Sequence, residues 1–427
     1  MIFRTDIETN ILYKDTCMNI REGTAAMQDI ELEQAVEVLL AHTTPVAETE
    51  RVPLLDAVGR VAAEDVRAGF DNPPFDRSPL DGYTFAAAST RGASAENPVT
   101  LRVVGEECAG DFFDGVVGAG ECVRIMTGGA IPKGCDCVVR QEDVREDGEQ
   151  IHVPFTSEPY ENYCYAGEDI KKGTVLIRQG QCIRAAHLAV LASEGYGDVL
   201  VRRRVRVAVA STGDELLQPG QSLRPGKIYN SNLYLLAGRL KELGAEVTVV
   251  GSVPDDVERA ASVIASYADK VDVFLTSGGV SVGKKDIMHG VVPALGAERL
   301  FWRVCMKPGA PAIAYTRGKM LGIALSGNPF AAYATFELMA RAALAHLAGE
   351  TEVTRPRRRA VLADAFPKAC PGRRFLRARI EADGRVSLPD QHESGSLFSA
   401  AGCDAFVDVP AGTKPLAAGT EVEVVIL

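Results

Sequence analysis

The second half of the chain alternates between short apolar runs and stretches with helical spacing. The apolar runs predict strands, at 205–210, 246–251, 272–276, 299–305 and 321–325. The spacing of apolar residues between and after them predicts helices, at 231–243, 255–268, 286–294 and 329–347. Alternating strands and helices are typical of a mostly parallel sheet covered on both faces. The sequence therefore predicts a three-layer α/β domain over residues 204–350.

The segments on either side of this domain are predicted to be rich in β-strands. Residues 73–169 alternate apolar and polar positions between closely spaced turns, which predicts a β-rich domain. Residues 351–427 show short alternating strands and glycine turns, which predict a small C-terminal β-barrel or sandwich. The fold class is thus multidomain, α/β plus β.

Two mixed segments flank the predicted β-rich domain. Residues 27–72 begin with a helix that includes Ile30 and Leu32, and residues 170–203 contain a helix at 183–193. We expect the two segments to join as one elongated linker domain, so that the β-rich domain is an insertion. Residues 1–26 lack a signal-peptide core and any periodic pattern, and are expected to be a disordered or non-native extension.

Composition narrows the class of protein. The net charge of −11 argues against nucleic acid as a partner, and no apolar run approaches the ~20 residues of a membrane span. The ten cysteines are scattered without a C-x-x-C pair, which argues against a zinc site and favours free thiols in a reducing cytoplasm. An anionic ligand would need a local concentration of Lys and Arg.

A glycine loop after the strand at 272–276 is the most informative local feature. Gly278, Gly279 and Gly283 would let the backbone approach an anion closely. The spacing from Gly278 to Lys284 nearly matches a P-loop, but Lys285 stands where Ser or Thr would bind magnesium. An ordinary ATPase is therefore disfavoured, and Asp286 is the candidate metal ligand. A tight turn without a ligand is the alternative.

Charged residues recur in loops at the predicted strand ends. The cations are Lys284, Lys285, Arg303 and Lys307, and the carboxylates are Asp214, Glu215, Asp255, Asp256 and Asp286. Mixed charge of this kind favours a magnesium-bridged phosphate, although each residue alone could be a solvated surface charge. Thr127 and Gly128 could bind an anion or form an ordinary hairpin corner. No histidine arrangement favours a Ser/His/Asp hydrolase.

Six motifs occur in order along the chain. They are Pro73-Pro-Phe-Asp-Arg-Ser-Pro-Leu-Asp-Gly-Tyr83, Arg124-Ile-Met-Thr-Gly128, Gly167-Glu-Asp-Ile170, Ser211-Thr-Gly-Asp-Glu-Leu216, Ser277-Gly-Gly-Val-Ser-Val-Gly283 and Lys307-Pro-Gly309. Together they resemble the molybdopterin molybdenumtransferase family, which includes the E domain of gephyrin. The resemblance extends from about residue 28 to the end of the chain.

The resemblance implies a function and a set of site residues. It implies a cytoplasmic, L-shaped homodimer, with the linker domain in dimerisation, that inserts molybdate into adenylylated molybdopterin and releases AMP with Mg²⁺. It also implies contacts with the adenylyltransferase and with apo-molybdoenzymes. The implied catalytic residues are Asp81, Thr127, Asp169, Glu215, Asp255, Arg303 and Lys307. The implied substrate-binding residues are Ser277, Gly278, Gly279, Ser281, Gly283, Pro329, Arg377 and Ser394, and the metal ligands are Asp286 and Glu215.

Departures from the family pattern leave alternatives open. Ser326 replaces a usual proline, Arg303 a common lysine, Asn230 a usual aspartate and Ala310 a frequent lysine. A tungstate-preferring or divergent paralogue is one alternative. A lone adenylylating enzyme is disfavoured by chain length. A non-catalytic dimeric scaffold is disfavoured by the mixed-charge residues.

Overall fold

The computed structural model describes residues 27–108, 110–283 and 286–427. The extension predicted at 1–26 and the two cations Lys284 and Lys285 lie outside the described residues. The helices are α1 (Leu32–Ala41), α2 (Ala185–Ser193), α3 (Ser231–Glu242), α4 (Val257–Ala265), α5 (Met288–Ala294), α6 (Pro329–Thr335) and α7 (Arg341–Ala348). A π-helical turn, Phe336–Ala340, connects the last two.

Strands make up most of the remaining regular structure. They are β1 (Met27–Ile30), β2 (Thr49–Pro53), β3 (Val66–Arg67), β4 (Gly82–Phe85), β5 (Val99–Glu107), β6 (Glu121–Ile125), β7 (Cys137–Arg140), β8 (Arg145–Asp147), β9 (Gln150–Val153), β10 (Val175–Ile177), β11 (Asp198–Arg202), β12 (Arg206–Thr212), β13 (Leu216–Leu217), β14 (Ile228–Tyr229), β15 (Glu246–Val253), β16 (Val273–Ser277), β17 (Glu298–Val304), β18 (Ile313–Arg317), β19 (Met320–Leu325), β20 (Arg357–Val361), β21 (Arg374–Ile380), β22 (Val386–Ser387), β23 (Ala405–Val409) and β24 (Glu421–Ile426).

A seven-stranded sheet with strand order β1-β17-β18-β19-β16-β12-β15 organises the α/β part of the chain. Strand β18 runs antiparallel to both neighbours, and the other pairs are parallel. One apolar core lies against α1, α3, α6 and α7, and a second lies against α4 and α5. Helices therefore cover both faces, as the alternating pattern predicted. The sequence did not predict β18, which forms a hairpin with β19.

The N-terminal segment packs on this sheet. Strand β1 pairs with β17 in parallel, with Met27 opposite Phe301. The helix begins at Leu32, and Ile30 belongs to the strand before it. Leu32 and Leu39 are buried in the same core as the sheet. The sequence had grouped residues 27–72 into the linker, but the apolar face of α1 is buried against the α/β helices instead.

The linker is built from two distant parts of the chain. Strand β2 pairs antiparallel with β11, and β3 with β10. Both segments contribute to one apolar core, with Val52 and Val66 from the first and Ile177 and Val199 from the second. Between them in sequence lies a six-stranded sheet with the order β7-β4-β6-β5-β9-β8. This sheet is therefore inserted between the two halves of the linker.

The C-terminal strands form a five-stranded antiparallel sheet with the order β20-β24-β23-β21-β22. A parallel bridge from Leu362 to Val386 brings the two ends of this sheet together. Arg373 attaches the sheet to α1, because its guanidinium binds both Asp408 and Glu33. No helix in the described part of the chain has the length and apolar character required to cross a membrane.

Candidate functional site

An open cleft of about 1090 Å³ lies at the carboxyl ends of the parallel strands. Strands β15 and β16 lie on opposite sides of β12, so the strand order switches at β12. Ligands of open α/β sheets bind in the crevice at such a switch point. Loops after β12, β16 and β19 line the cleft, together with residues 306–311 and part of the C-terminal module.

The glycine loop after β16 is packed against the loop after β12. Gly278 has a φ of +101°, and a Cβ there would lie 2.6 Å from Thr212 Oγ1 and 2.7 Å from the Thr212 carbonyl oxygen. A side chain at this position would therefore collide with the backbone as well as adopt a disfavoured conformation. Gly279 and Ser281 also line the cleft. Gly283 instead donates its backbone N–H to the Asp286 carboxylate.

Ser277 ties the strand-end loops together. Its hydroxyl accepts a hydrogen bond from Asn232 Nδ2 (2.7 Å) and donates to the Ser326 carbonyl oxygen (3.0 Å). Asn232 Nδ2 also donates to the Gly327 carbonyl oxygen (2.8 Å). Ser277 lines the cleft and its side chain is buried in these contacts, so its predicted binding of substrate stays a prediction. Through these contacts Ser277 holds the cleft in shape.

Several buried polar atoms of cleft residues have no partner within the described residues. They are Thr212 Oγ1, Asn232 Oδ1, Arg374 Nε and His392 Nδ1. Buried polar groups are normally hydrogen-bonded, so these four atoms need a partner that the described residues do not supply, such as water or a ligand. None of these four residues was predicted from the sequence to belong to the site. Thr212 lies in the motif from Ser211 to Leu216, and Asn232 ends the stretch Tyr229-Asn-Ser-Asn232 that contains the departure at Asn230, whereas Arg374 and His392 have no local sequence signature.

Carboxylates enter the cleft from three loops. Glu215 follows β12, Asp255 follows β15 and Asp286 follows β16. Asp255 accepts a hydrogen bond from the Asp214 backbone N–H at 3.2 Å. Among the described residues no group of three or more His, Cys, Asp or Glu is arranged to hold a metal. Mg²⁺ commonly uses only one or two carboxylates plus substrate oxygens, so this donor set suits it.

Cations enter the cleft where residues 306–311 meet the C-terminal sheet. Lys307 forms a parallel bridge with Arg374, its N–H donates to the Arg373 carbonyl oxygen (2.9 Å), and both Lys307 and Arg374 line the cleft. Lys368 and His392 lie on the same side. Burial, followed by the charges of Arg377 and Arg374, lowers the pKa of His392 to about 4. The cleft is thus acidic at the strand ends and basic beside the C-terminal module.

Arg377 and Ser394 hold the loop that carries His392. Arg377 is fully buried and donates to the carbonyl oxygens of Glu393 and Ser396, both at 2.6 Å. Its guanidinium also lies 3.6 Å from the centroid of the Phe330 ring. The Ser394 hydroxyl accepts a hydrogen bond from Asn328 at 3.1 Å. Ser394 and Pro329 line the cleft, whereas Arg377 shapes the loop from behind.

Besides Gly283 and Arg377, four predicted site residues do not line the cleft in the described residues. Asp81, Thr127 and Asp169 are exposed residues of the inserted β module and its edge. Arg303 lies on β17, where its Nε donates to Asp29 of β1 at 2.8 Å. This ion pair holds the Arg303 side chain beside the N-terminal strand β1, outside the lining of the cleft.

Two departures from the family pattern have structural explanations. Asn230 Oδ1 accepts hydrogen bonds from the Leu233 N–H at the start of α3 and from the Ser211 hydroxyl. An amide oxygen caps a helix as a carboxylate does, so the neutral residue preserves this contact. Ser326 accepts a hydrogen bond from the Asn328 N–H through its hydroxyl (3.3 Å). It therefore stabilises the turn before α6.

Comparisons with known proteins agree with this architecture. Family models match the MoeA N-terminal region (domain I and II) at residues 30–195, a probable molybdopterin binding domain at 208–346 and the MoeA C-terminal region (domain IV) at 359–427. Proteins named molybdopterin molybdenumtransferase from Staphylococcus aureus (strain Mu50) and Bacillus subtilis (strain 168) are 37% and 36% identical. Those alignments cover 88% and 93% of this chain and 90% and 94% of the relatives.

A solved structure extends the likeness to the fold. The molybdopterin biosynthesis MoeA protein from Pyrococcus horikoshii OT3 is 30% identical, with a TM-score of 0.81. The superposition covers 93% of this chain and 100% of that chain. The resemblance carried by the six motifs is thereby confirmed. This chain belongs to the molybdopterin molybdenumtransferase (MoeA) family.

Proposed function

We propose that this protein inserts molybdate into adenylylated molybdopterin and releases AMP in the synthesis of molybdenum cofactor. The observation that carries the proposal is the cleft at the strand-order switch, which combines carboxylates, cations and unpartnered buried polar atoms. A pterin bearing a pyrophosphate needs hydrogen-bond partners for its ring and positive charge for its phosphates. The names of the relatives supply the reaction class.

Each side of the cleft has its own role in this proposal. The loop from Ser277 to Gly283 approaches the pyrophosphate, since Gly278, Gly279 and Ser281 line the cleft. Lys307 and Arg374 neutralise oxyanion charge on the side of the C-terminal module. Asn232 Oδ1 and Thr212 Oγ1, which lack partners among the described residues, are the proposed hydrogen-bond acceptors for the pterin. Ser281, Pro329 and Ser394 shape the walls.

Asp286 and Glu215 are the proposed magnesium ligands. Both are carboxylates of the cleft, and hard oxygen donors are the ligands that Mg²⁺ prefers. Bound Mg²⁺ would supply Lewis-acid stabilisation of phosphate charge. Asp255 lies beside them and orients the Asp214 backbone. The carboxylates also keep the strand-end side acidic, so that the anionic substrate is oriented with its charge toward Lys307.

The site is completed by a second copy of the chain. Asp81, Thr127 and Asp169 lie in the inserted module, away from the cleft lining of their own chain within the described residues. A two-fold dimer places the same patches of both subunits at each interface. In the proposed homodimer these three residues face the partner's cleft. Arg303 acts from β17 on the charge balance near the cleft.

The proposed location of the protein is the cytoplasm. The proposed protein partners follow from the reaction. The adenylyltransferase supplies the substrate, and apo-molybdoenzymes receive the product. Handing over a labile cofactor between proteins limits its exposure to water. These contacts, like the dimer, are open to direct binding measurements with the purified proteins.

The decisive experiment measures AMP release. Purified protein is incubated with adenylylated molybdopterin and Mg²⁺, with molybdate in one series and tungstate in another. We expect oxyanion-dependent AMP release and cofactor formation with molybdate. A folded dimer that releases no AMP with either oxyanion contradicts the proposal and favours a scaffold. A response to tungstate alone would identify a tungsten-specific relative.

A mixing experiment tests the shared site. Asp81→Ala and Asp286→Ala would each inactivate the homodimer. If the site is built from two subunits, mixed dimers contain one intact site, and an equal mixture after subunit exchange should recover about a quarter of wild-type activity. If both residues act within one chain, the mixture should stay inactive. Subunit exchange is verified with two affinity tags.

A further inference from the structure

Two aromatic side chains that lie outside the cleft lining hold the glycine loop after β16. Trp302 of β17 donates its indole N–H to the Val280 carbonyl oxygen at 3.2 Å. His289 of α5 contacts the next carbonyl oxygen, that of Ser281, through Nε2 at 3.0 Å. A carbonyl oxygen can only accept, so His289 Nε2 carries a hydrogen and is the donor. Among the described residues Val280 and Ser281 line the cleft, whereas Trp302 and His289 do not.

The two rings restrain each other. The centroids of the His289 and Trp302 rings are 4.7 Å apart, with an angle of 86° between the ring planes. An edge-to-face pair of this kind is favourable, and it fixes the direction in which each N–H points. The Arg303 guanidinium lies 5.7 Å from the centroid of the Trp302 ring, within the range of a cation–π contact, and is bound to Asp29. The indole is therefore held both by α5 and by the ion pair that joins β17 to β1.

Three consecutive carbonyl groups of the loop are hydrogen-bonded. Besides those of Val280 and Ser281, the Gly279 carbonyl oxygen accepts the Met288 N–H at 3.0 Å. The backbone N–H groups of Gly279, Val280 and Ser281 have no acceptor among the described residues. Successive unpaired N–H groups of a loop can bind an anion. The loop therefore has its acceptors bound and its donors available, which suits an anionic ligand.

We propose that Trp302 and His289 are positioning residues, which hold Val280 and Ser281 in the backbone shape that binds the pyrophosphate of the substrate. The inference rests on the proposed function, because that function assigns the pyrophosphate to this loop. Neither side chain needs to touch the substrate. A loop with two adjacent glycines loses much conformational entropy when it is ordered. Because both carbonyl groups are anchored, this cost is met when the protein folds and not when the ligand binds.

Substitutions at His289 separate the hydrogen-bond donor from the ring. His289→Gln removes the ring but places an amide N–H close to the position of Nε2, whereas His289→Leu removes both the ring and the donor. Trp302→Phe keeps an aromatic ring beside α5 but has no N–H. Val282→Ala is the matched control, because Val282 belongs to the same loop and is 77% exposed. In the described residues Val282 is also not part of the cleft lining.

The first measurement follows binding without chemistry. Trp302 is the only tryptophan in the sequence, so tryptophan fluorescence reports on this position alone. Wild type, both His289 variants and the control are titrated with inorganic pyrophosphate in the presence of Mg²⁺. We expect a saturable change in emission, with a dissociation constant about five- to tenfold higher in His289→Leu, the effect of one lost hydrogen bond. His289→Gln and Val282→Ala should bind as wild type does. Equal affinity in His289→Leu, or no saturable change in wild type, overturns the proposal.

The second measurement uses AMP release and includes Trp302→Phe, which lacks the fluorescent group. We expect Trp302→Phe and His289→Leu to raise the KM for adenylylated molybdopterin about five- to tenfold with kcat unchanged, because the loop binds substrate and transition state alike. His289→Gln should restore the wild-type KM. If the ring served only to stabilise the fold, His289→Gln would lower the thermal midpoint and kcat as much as His289→Leu does. That result overturns the proposal.

The two measurements distinguish failure of this inference from failure of the proposed function. Suppose that pyrophosphate binding depends on His289 but wild type releases no AMP. The positioning role then holds for another substrate with a pyrophosphate group, and the proposed function is contradicted. Conversely, AMP release with the wild-type KM in Trp302→Phe and His289→Leu supports the function and overturns the positioning role.

Discussion

Thr127 donates two hydrogen bonds to the same oxygen of Asp81. The backbone N–H and the hydroxyl of Thr127 each lie 2.7 Å from Asp81 Oδ1. These bonds lower the pKa of Asp81, the backbone bond more than the hydroxyl bond. The carboxylate therefore stays ionised to a lower pH than an ordinary aspartate. In the proposed dimer this ionised group faces the cleft of the partner subunit.

Replacing the hydroxyl should shift the pH dependence of the reaction. In Thr127→Val the backbone bond remains and the hydroxyl bond is lost, so the pKa of Asp81 rises. If Asp81 acts as a carboxylate, the acid limb of the AMP-release profile moves to higher pH. Thr127→Ser retains the hydroxyl and should keep the wild-type profile. If the acid limb is unchanged in the valine variant, Asp81 is not the group whose ionisation controls AMP release.

Asp286 offers a test that separates charge from loop shape. Its carboxylate accepts the Gly283 N–H, so Asp286→Ala removes both the charge and this contact. Asp286→Asn retains an oxygen acceptor but removes the charge. We expect both variants to lose AMP release by at least about tenfold, because a neutral amide is a weak magnesium ligand. Magnesium titration of the residual activity is the measurement. Wild-type activity in the asparagine variant would show that another carboxylate binds the magnesium.

Gly309 leaves no room for a side chain beside Lys307. Its φ is +98°, and a Cβ there would lie 2.0 Å from Thr335 Oγ1. Gly309→Ala should lower the free energy of unfolding by about 2–4 kcal/mol, from overpacking and the left-handed backbone together. Urea denaturation measures this change.

A matched glycine separates these two contributions. Gly318 also has a positive φ, +59°, but a Cβ there would have nothing within 4 Å. Gly318→Ala should therefore cost only about 1 kcal/mol. The double variant Gly309→Ala with Thr335→Ala should recover part of the lost stability. Equal losses for the two single variants would show that the contact with Thr335 is unimportant.

The ion-pair group around Arg373 should control stability in acid. Burial of Asp408 opposes its ionisation, but hydrogen bonds from Arg373 and Arg357 outweigh burial and lower its pKa. The hydrogen bond from Arg373 also lowers the pKa of Glu33. Groups with depressed folded pKa values stabilise the protein above their usual pKa, near 4, and lose that contribution as the pH falls below it.

Arg373→Met should expose this dependence. At neutral pH the variant should lose about 2–4 kcal/mol, because Asp408 stays buried with only Arg357 as a partner. Between pH 6 and pH 3 its stability should fall less steeply than that of wild type, since the native pKa values are less depressed. Arg385→Met, which breaks an exposed pair with Asp383, is the control and should follow wild type. Parallel curves for all three proteins would exclude this group as the acid-sensitive one.

Local patterns predicted much of the α/β module. The helix predicted at 231–243 occurs as Ser231–Glu242, and the strand predicted at 246–251 as Glu246–Val253. These elements carry their own periodicity and caps, such as Asn230 before α3. Strand β18 has no periodicity or cap of its own. Its five residues form a strand only by pairing with β17 and β19. The packing of β1 and α1 on the sheet also depends on partners almost 300 residues away.

The sequence by itself determined the family and which charged residues and glycines lie in the strand-end loops. Short motifs at strand ends encode the glycine loop, the carboxylates and Lys307, because backbone approach and charge are local requirements. Only the tertiary structure placed Asn232, Arg374 and His392 in the same cleft, and buried Arg377 behind it. It alone showed Arg303 beside Asp29 and Asp81 outside its own chain's cleft lining. Contacts between distant segments depend on how the modules pack, and no local pattern of residues records that packing.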